Sequence, residues 1–89
     1  MLKVHLDSWL REFGPRGNEE IEAASVALLL DELERRYPRL RFKIRDERGE
    51  LRRYVRVFVD GVDVSASTGV ATPLTGAQNI DILHSIAGG

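Results

Sequence analysis

Few side chains in this 89-residue sequence are equipped for chemistry, and the group best placed for it belongs to the backbone. The chain ends Ile86-Ala87-Gly88-Gly89, so its last functional group is the carboxylate of Gly89, preceded by a second glycine. A carboxylate is a poor acyl donor until its oxygen is converted into a good leaving group. Gly88 and Gly89 have no Cβ, so the backbone there can enter a narrow site, approach a ligand closely and take up dihedrals closed to other residues. A side chain at either position should obstruct that entry. There is no cysteine, which removes thiolate nucleophiles, disulfides and Cys-based metal sites from consideration. The two histidines, His5 and His84, are too few for a His-rich site, and no metal site is expected.

Charge is distributed unevenly. Residues 35–56 hold ten of the thirteen Lys and Arg (Arg35, Arg36, Arg39, Arg41, Lys43, Arg45, Arg48, Arg52, Arg53, Arg56) against three acids, a balance of +7 that leaves −8 for the rest. Interleaved arginine and aromatic residues there raise a nucleic-acid surface, but no binding motif accompanies them and the overall balance is acidic. A solvated face, or a dock for an acidic protein, fits the run better. No apolar run approaches the roughly 20 residues that span a bilayer, and no signal peptide opens the chain, so a cytoplasmic protein without a membrane partner is expected.

The elements that must position the C-terminus follow from periodicity. Val4 and Leu6 alternate with Lys3, His5 and Asp7, which predicts a strand over residues 2–7. Gly14-Pro15-Arg16-Gly17-Asn18 punctuates a loop from Ser8, with Trp9, Leu10 and Phe13 pinning it to the core rim. Residues 19–24 read as a second strand, making an opening hairpin. Ser25 is placed to cap a helix whose stripe is Val26, Leu29, Leu30, Leu33 and Tyr37, and Pro38 ends it.

Leu40, Phe42 and Ile44 alternate with Arg41, Lys43 and Arg45, predicting a short strand or extended segment into a polar tip at residues 46–50. Residues 54–59 alternate strictly, and Asp60-Gly61 predicts a tight turn into Val62-Asp63-Val64. A polar connection over residues 65–76, anchored by Val70, Ala71 and Leu74, leads to a last strand at 79–83 with Ile80 and Ile82 inward. Sheet over one helix is the compact solution for this order. The expectation is an α+β, β-grasp fold: a mixed sheet of four to five strands packed on one helix, with residues 1–85 as the domain and 86–89 as a flexible tail.

The helix 25–37 stopped by Pro38, the segment Val57-Phe58-Val59-Asp60-Gly61-Val62-Asp63-Val64, and residues 74–83 followed by Ala87-Gly88-Gly89 together resemble the ubiquitin-like sulfur carriers. That family includes the molybdopterin-synthase small subunit and the thiamine sulfur carrier, and the resemblance is strongest to the actinobacterial carriers of cysteine biosynthesis. Two departures stand out. His84 occupies a position where such carriers often have proline, and Ala77-Gln78-Asn79 stands where an acidic residue commonly follows the glycine.

The resemblance implies that a ubiquitin-activating-type enzyme adenylates the Gly89 carboxylate with ATP, and that sulfide or a persulfide then displaces AMP to leave a thiocarboxylate. It implies a second partner too, a biosynthetic enzyme that accepts the sulfur. On this reading the chain is not an enzyme, has no catalytic residue and binds no cofactor itself. Gly88, Ala87 and Ile86 form the tail that enters the partner. Phe58 and Leu83, outward by alternation on neighbouring strands, with Arg56 beside them, are the expected docking surface. Two other outcomes are kept: a protein modifier joined through Gly89 to lysines, and an inert ubiquitin-like interaction domain.

Overall fold

The computed structural model describes residues 1–84. Ser85 and the whole expected tail, Ile86 to Gly89, lie outside them. Five strands and one α-helix are formed: β1 Leu2–Leu6, β2 Glu19–Ile21, α1 Val26–Arg36, β3 Val55–Val59, β4 Val62–Asp63 and β5 Asn79–His84. The sheet order is β2-β1-β5-β3-β4. β1 and β5 run parallel at its centre, and the outer pairings are antiparallel, which gives the expected mixed sheet over one helix.

Register follows from which face is buried, because a one-residue slip would turn each strand inside out. Ile80 and Ile82 of β5 lie opposite Val4 and Leu6 on one side, and Ile82 lies opposite Val57 on the other. These side chains, with Leu2, Ile21 and Val55, meet Val26, Leu29, Leu30 and Leu33 of α1 in one core. The Ser25 hydroxyl accepts the Leu28 N–H at 3.2 Å as the cap of α1, and Arg35 and Arg36 fall in its last turn, at the negative end of the helix dipole. Both arginines grip Glu32, and Arg36 also reaches Glu19 at the foot of β2, at 2.9 Å.

Three expectations are corrected. The segment around Leu40, Phe42 and Ile44 is not a strand: a 3-10 turn at Pro38–Leu40 continues into further turns, with Arg41 N–H donating to Pro38 O and Lys43 N–H to Leu40 O. Leu40 and Ile44 are wholly buried, whereas Phe42 sits at φ +66° and is 51% exposed. Two buried residues four apart imitate a strand's alternation when the residue midway between them is apolar as well. The polar tip at 46–50 does form, with Asp46 Oδ1 accepting from Arg48 N–H and Glu50 N–H, but its flanks meet only in the bridge Arg45–Leu51.

The second strand stops at Ile21, not Ala24, because Ala24 O accepts the Leu74 N–H and Ser25 bridges Pro73, drawing the chain away from β1. In the 65–76 connection Leu74 is buried and Val70 half-buried as expected, but Ala71 is exposed; Thr72 is the other buried residue there. Asp60 and Gly61 have φ of +48° and +86°, the signs required of a type I′ hairpin turn.

Candidate functional site

β5 is the element that leads to Gly89, and its far end is fastened from several sides. Asp7, immediately after β1, uses both carboxylate oxygens: Oδ1 accepts the Leu10 N–H at 3.0 Å and Oδ2 accepts the His84 N–H at 2.5 Å. The first bond ties the start of the 3-10 turn Leu10–Glu12, whose Leu10 is wholly buried, back to the end of β1. That turn presents Trp9, whose ring stacks on His84 at 4.3 Å between centroids, with Tyr54 edge-on to both. The last described residue of β5 is therefore held in a collar of Asp7, Trp9 and Tyr54. Aromatic contacts of this kind contribute roughly 0.5–1.5 kcal/mol each beyond area burial.

The expected docking residues share one face of the sheet. Arg56 lies directly opposite Leu83, and Phe58 lies between Asp81 of β5 and Asp63 of β4. This is the face away from α1, since Val55 and Val57, which alternate with them, point into the core. Leu83 is 39% exposed, and Phe58 and Arg56 are half-buried. The 65–76 connection packs on the start of α1, where Val26 N–H donates to Thr72 O at 3.0 Å.

The turn before β5 is held from the side. The Asp60 carboxylate accepts the Asn79 N–H at 2.8 Å and the Gln78 N–H at 3.1 Å, so the hairpin β3–β4 ties down the start of β5 as Asp7 ties down its end. Among the described residues no group of three or more His, Cys, Asp or Glu could hold a metal. None of the described helices is long and apolar enough to cross a membrane.

Residues 4–89 match the ThiS family. The chain belongs to that family. The ThiS match agrees with the fold: the chain is similar to the crystal structure of the Amycolatopsis orientalis BexX/CysO complex, at 27% identity and TM-score 0.85 with both chains covered in full. It is similar to the small archaeal modifier protein 1 of Methanosarcina acetivorans, at 28% identity and TM-score 0.82 over 99% of this chain and 95% of that one. Mycobacterium tuberculosis CysO has the same fold, at 24% identity and TM-score 0.85 over 97% of this chain and all of that one. No curated protein matches the chain in sequence. The neighbours are β-grasp proteins, and the ThiS-family chain shares their ubiquitin-like, sulfur-carrier type of fold.

Within this ThiS-family chain both departures noted in the sequence have structural consequences. His84 keeps a backbone N–H that proline lacks, and Asp7 uses it. With no acid immediately after Gly76, Asp60 of the β3–β4 turn supplies a carboxylate to the Gln78 and Asn79 N–H groups. Asp7 and Tyr54 were not singled out from sequence as site residues. The signal for Asp7 was present, an aspartate three residues before Leu10 at the spacing of an N-cap; nothing local pointed from either residue to His84.

Proposed function

We propose that this chain carries sulfur as a thiocarboxylate on Gly89. On a ubiquitin-activating-type partner the carboxylate attacks the α-phosphorus of ATP and expels pyrophosphate to give the acyl adenylate; sulfide, or a persulfide whose S–S bond a thiol then cleaves, displaces AMP at the acyl carbon to leave the thiocarboxylate. A second, biosynthetic partner takes the sulfur. The chain contributes no catalytic group: it supplies an acyl end free of side chains at Gly88 and Gly89, with Ala87 and Ile86 leading into the partner's groove. ATP belongs to the partner, and a cytoplasmic location goes with this reading.

The observation that carries the reading is the match to the ThiS family over residues 4–89. The sheet supports it, because β5, which leads to the glycines, is a central strand paired on both sides and fastened at each end. An acyl end presented from a fixed strand loses less freedom on entering another protein than one presented from a loose segment.

Intact mass after incubation with the activating enzyme, ATP and a sulfur source tests the proposal. Replacement of one oxygen by sulfur is expected, and loss of that exchange on deleting Gly89; an unchanged mass with a competent cognate enzyme refutes it. The similarity to a small archaeal modifier protein favours a second reading, in which Gly89 is joined to lysines. Ladders on other proteins in the same assay would identify that outcome. For docking, Phe58→Ala is expected to weaken binding to the activating enzyme more than it lowers the melting temperature. A large loss of stability at unchanged affinity would place Phe58 in the core.

A further inference from the structure

The loop after β1 and the end of α1 enclose an open hollow of about 580 Å³. Four arginines line it, Arg11, Arg16, Arg36 and Arg39, with Phe13 among the apolar walls and Glu12 as the acid. Arg36 is committed to Glu19 and Glu32, whereas Arg11, Arg16 and Arg39 take part in no ion pair among the described residues. Arg39 lies over the Phe13 ring at 5.4 Å and Lys43 at 4.6 Å, so the aromatic ring holds two cations beside the hollow.

The hollow is two ring contacts from the exit of β5. Phe13 meets Trp9 edge-on at 5.5 Å, and Trp9 stacks on His84. Five residues follow His84, and covalent geometry limits their reach to about 17 Å. A protein that takes Gly89 into its own active site must therefore sit against the collar and its surroundings.

We propose that the hollow docks an acidic loop of the protein that receives the tail, with aspartate or glutamate carboxylates on Arg11, Arg16 and Arg39. The identity of that partner rests on the carrier reading; the chemistry of the hollow does not. Guanidinium groups bind carboxylates bidentately, and a positive patch beside an insertion point steers an acidic rim into register before the tail enters. Shape favours an acidic protein loop over nucleic acid. The cations line a hollow instead of a track that a phosphate backbone could follow.

Titration of the full 15N-labelled chain with a short oligo-glutamate peptide at low salt tests the site directly. Amide shifts are expected at residues 11–14, 16, 36, 37 and 39, with affinity reduced about tenfold or more in the double variant Arg11→Glu/Arg39→Glu and retained in Arg53→Glu. The same spectra report whether each variant is folded. Shifts spread evenly over all the arginines, or unchanged in the double variant, overturn the proposal. So does tighter binding of a single-stranded RNA oligonucleotide to the same residues. In the loading reaction, the double variant is expected to raise KM about tenfold with kcat unchanged at saturation, and the wild-type KM to rise with salt. An unchanged KM overturns the docking role alone, whereas failure of the wild type to load refutes the carrier reading and leaves the peptide titration to judge the hollow.

Discussion

Replacing Asp7 with alanine removes two backbone acceptors at once, at Leu10 and at His84. Hydrogen bonds to a charged partner contribute about 1.5–3 kcal/mol each, and an N-cap about 1 kcal/mol. Leu10 is wholly buried, so its freed N–H cannot fully recover a partner from water, while Asp7 itself is half-buried and some solvent replacement is open to the His84 N–H. Together these give an expected loss of about 2–4 kcal/mol. A domain of this length has roughly 4–13 kcal/mol in total, so the loss is a large fraction. The melting temperature should fall by about 8 °C or more.

Urea denaturation measures the loss, with an unchanged m-value showing that the denatured state is not the cause. Hydrogen exchange at the His84 amide should accelerate beyond what the global loss explains, because the end of β5 opens locally. Asp7→Asn keeps one carbonyl oxygen and should recover about half. A loss below about 0.5 kcal/mol, or unaltered exchange at His84, would refute the reasoning that this carboxylate fastens the exit of β5.

Glu32 is held at a pKa of about 2, down from 4.5, by hydrogen bonds from Arg35 and then Arg36. A depressed folded value stabilises above the unfolded pKa and ceases to do so as pH falls through the folded one, so wild-type stability should drop between about pH 4.5 and pH 2. Glu32→Gln should be flatter across that window in acid titrations followed by circular dichroism; parallel curves would contradict this. Gly14→Ala would place a Cβ 2.9 Å from Cδ1 of the wholly buried Leu40 and 3.2 Å from that of Leu6, for an expected cost of about 1–2 kcal/mol by denaturation. Wild-type stability there would show that Leu40 repacks freely. Asp60→Ala should cost about 1–2 kcal/mol through the lost bonds to Gln78 and Asn79 and the positive φ, and Asp60→Asn should cost less, since asparagine tolerates that φ. Equal losses in the two variants would argue against the backbone contribution.

The elements whose periodicity is long were legible. The α1 stripe from Val26 to Leu33, capped by Ser25 and stopped by Pro38, and the alternation of Val55 and Val57 each specify one buried face over enough residues to exclude the competing period. Residues 40–44 did not. Three apolar residues at spacing two satisfy a strand and equally satisfy two buried turn positions four apart, and the chain after Pro38 takes the second option because its N–H groups are already used in turns. The charge run at 35–56 was visible, but not its division into arginines spent on Glu19, Asp31, Glu32 and Glu34 and arginines left facing solvent. That division depends on where α1 comes to rest against the loops.

The collar was the least legible feature, because Asp7 and His84 are 77 residues apart and meet only through the sheet. Its origin is topological. β1 and β5 are parallel neighbours with Leu6 level with Ile82, so both strands end on the same edge of the domain. Whatever follows β1 must then lie beside whatever follows β5. An aspartate and a tryptophan in the first turn after β1 are therefore placed against the exit of the C-terminal strand by strand direction alone, and the loop that continues from them brings Arg11, Phe13 and Arg16 to the same end. A sequence with the same residues in an antiparallel β1–β5 pair would put that loop at the opposite edge, where it could neither fasten His84 nor border the path of the tail.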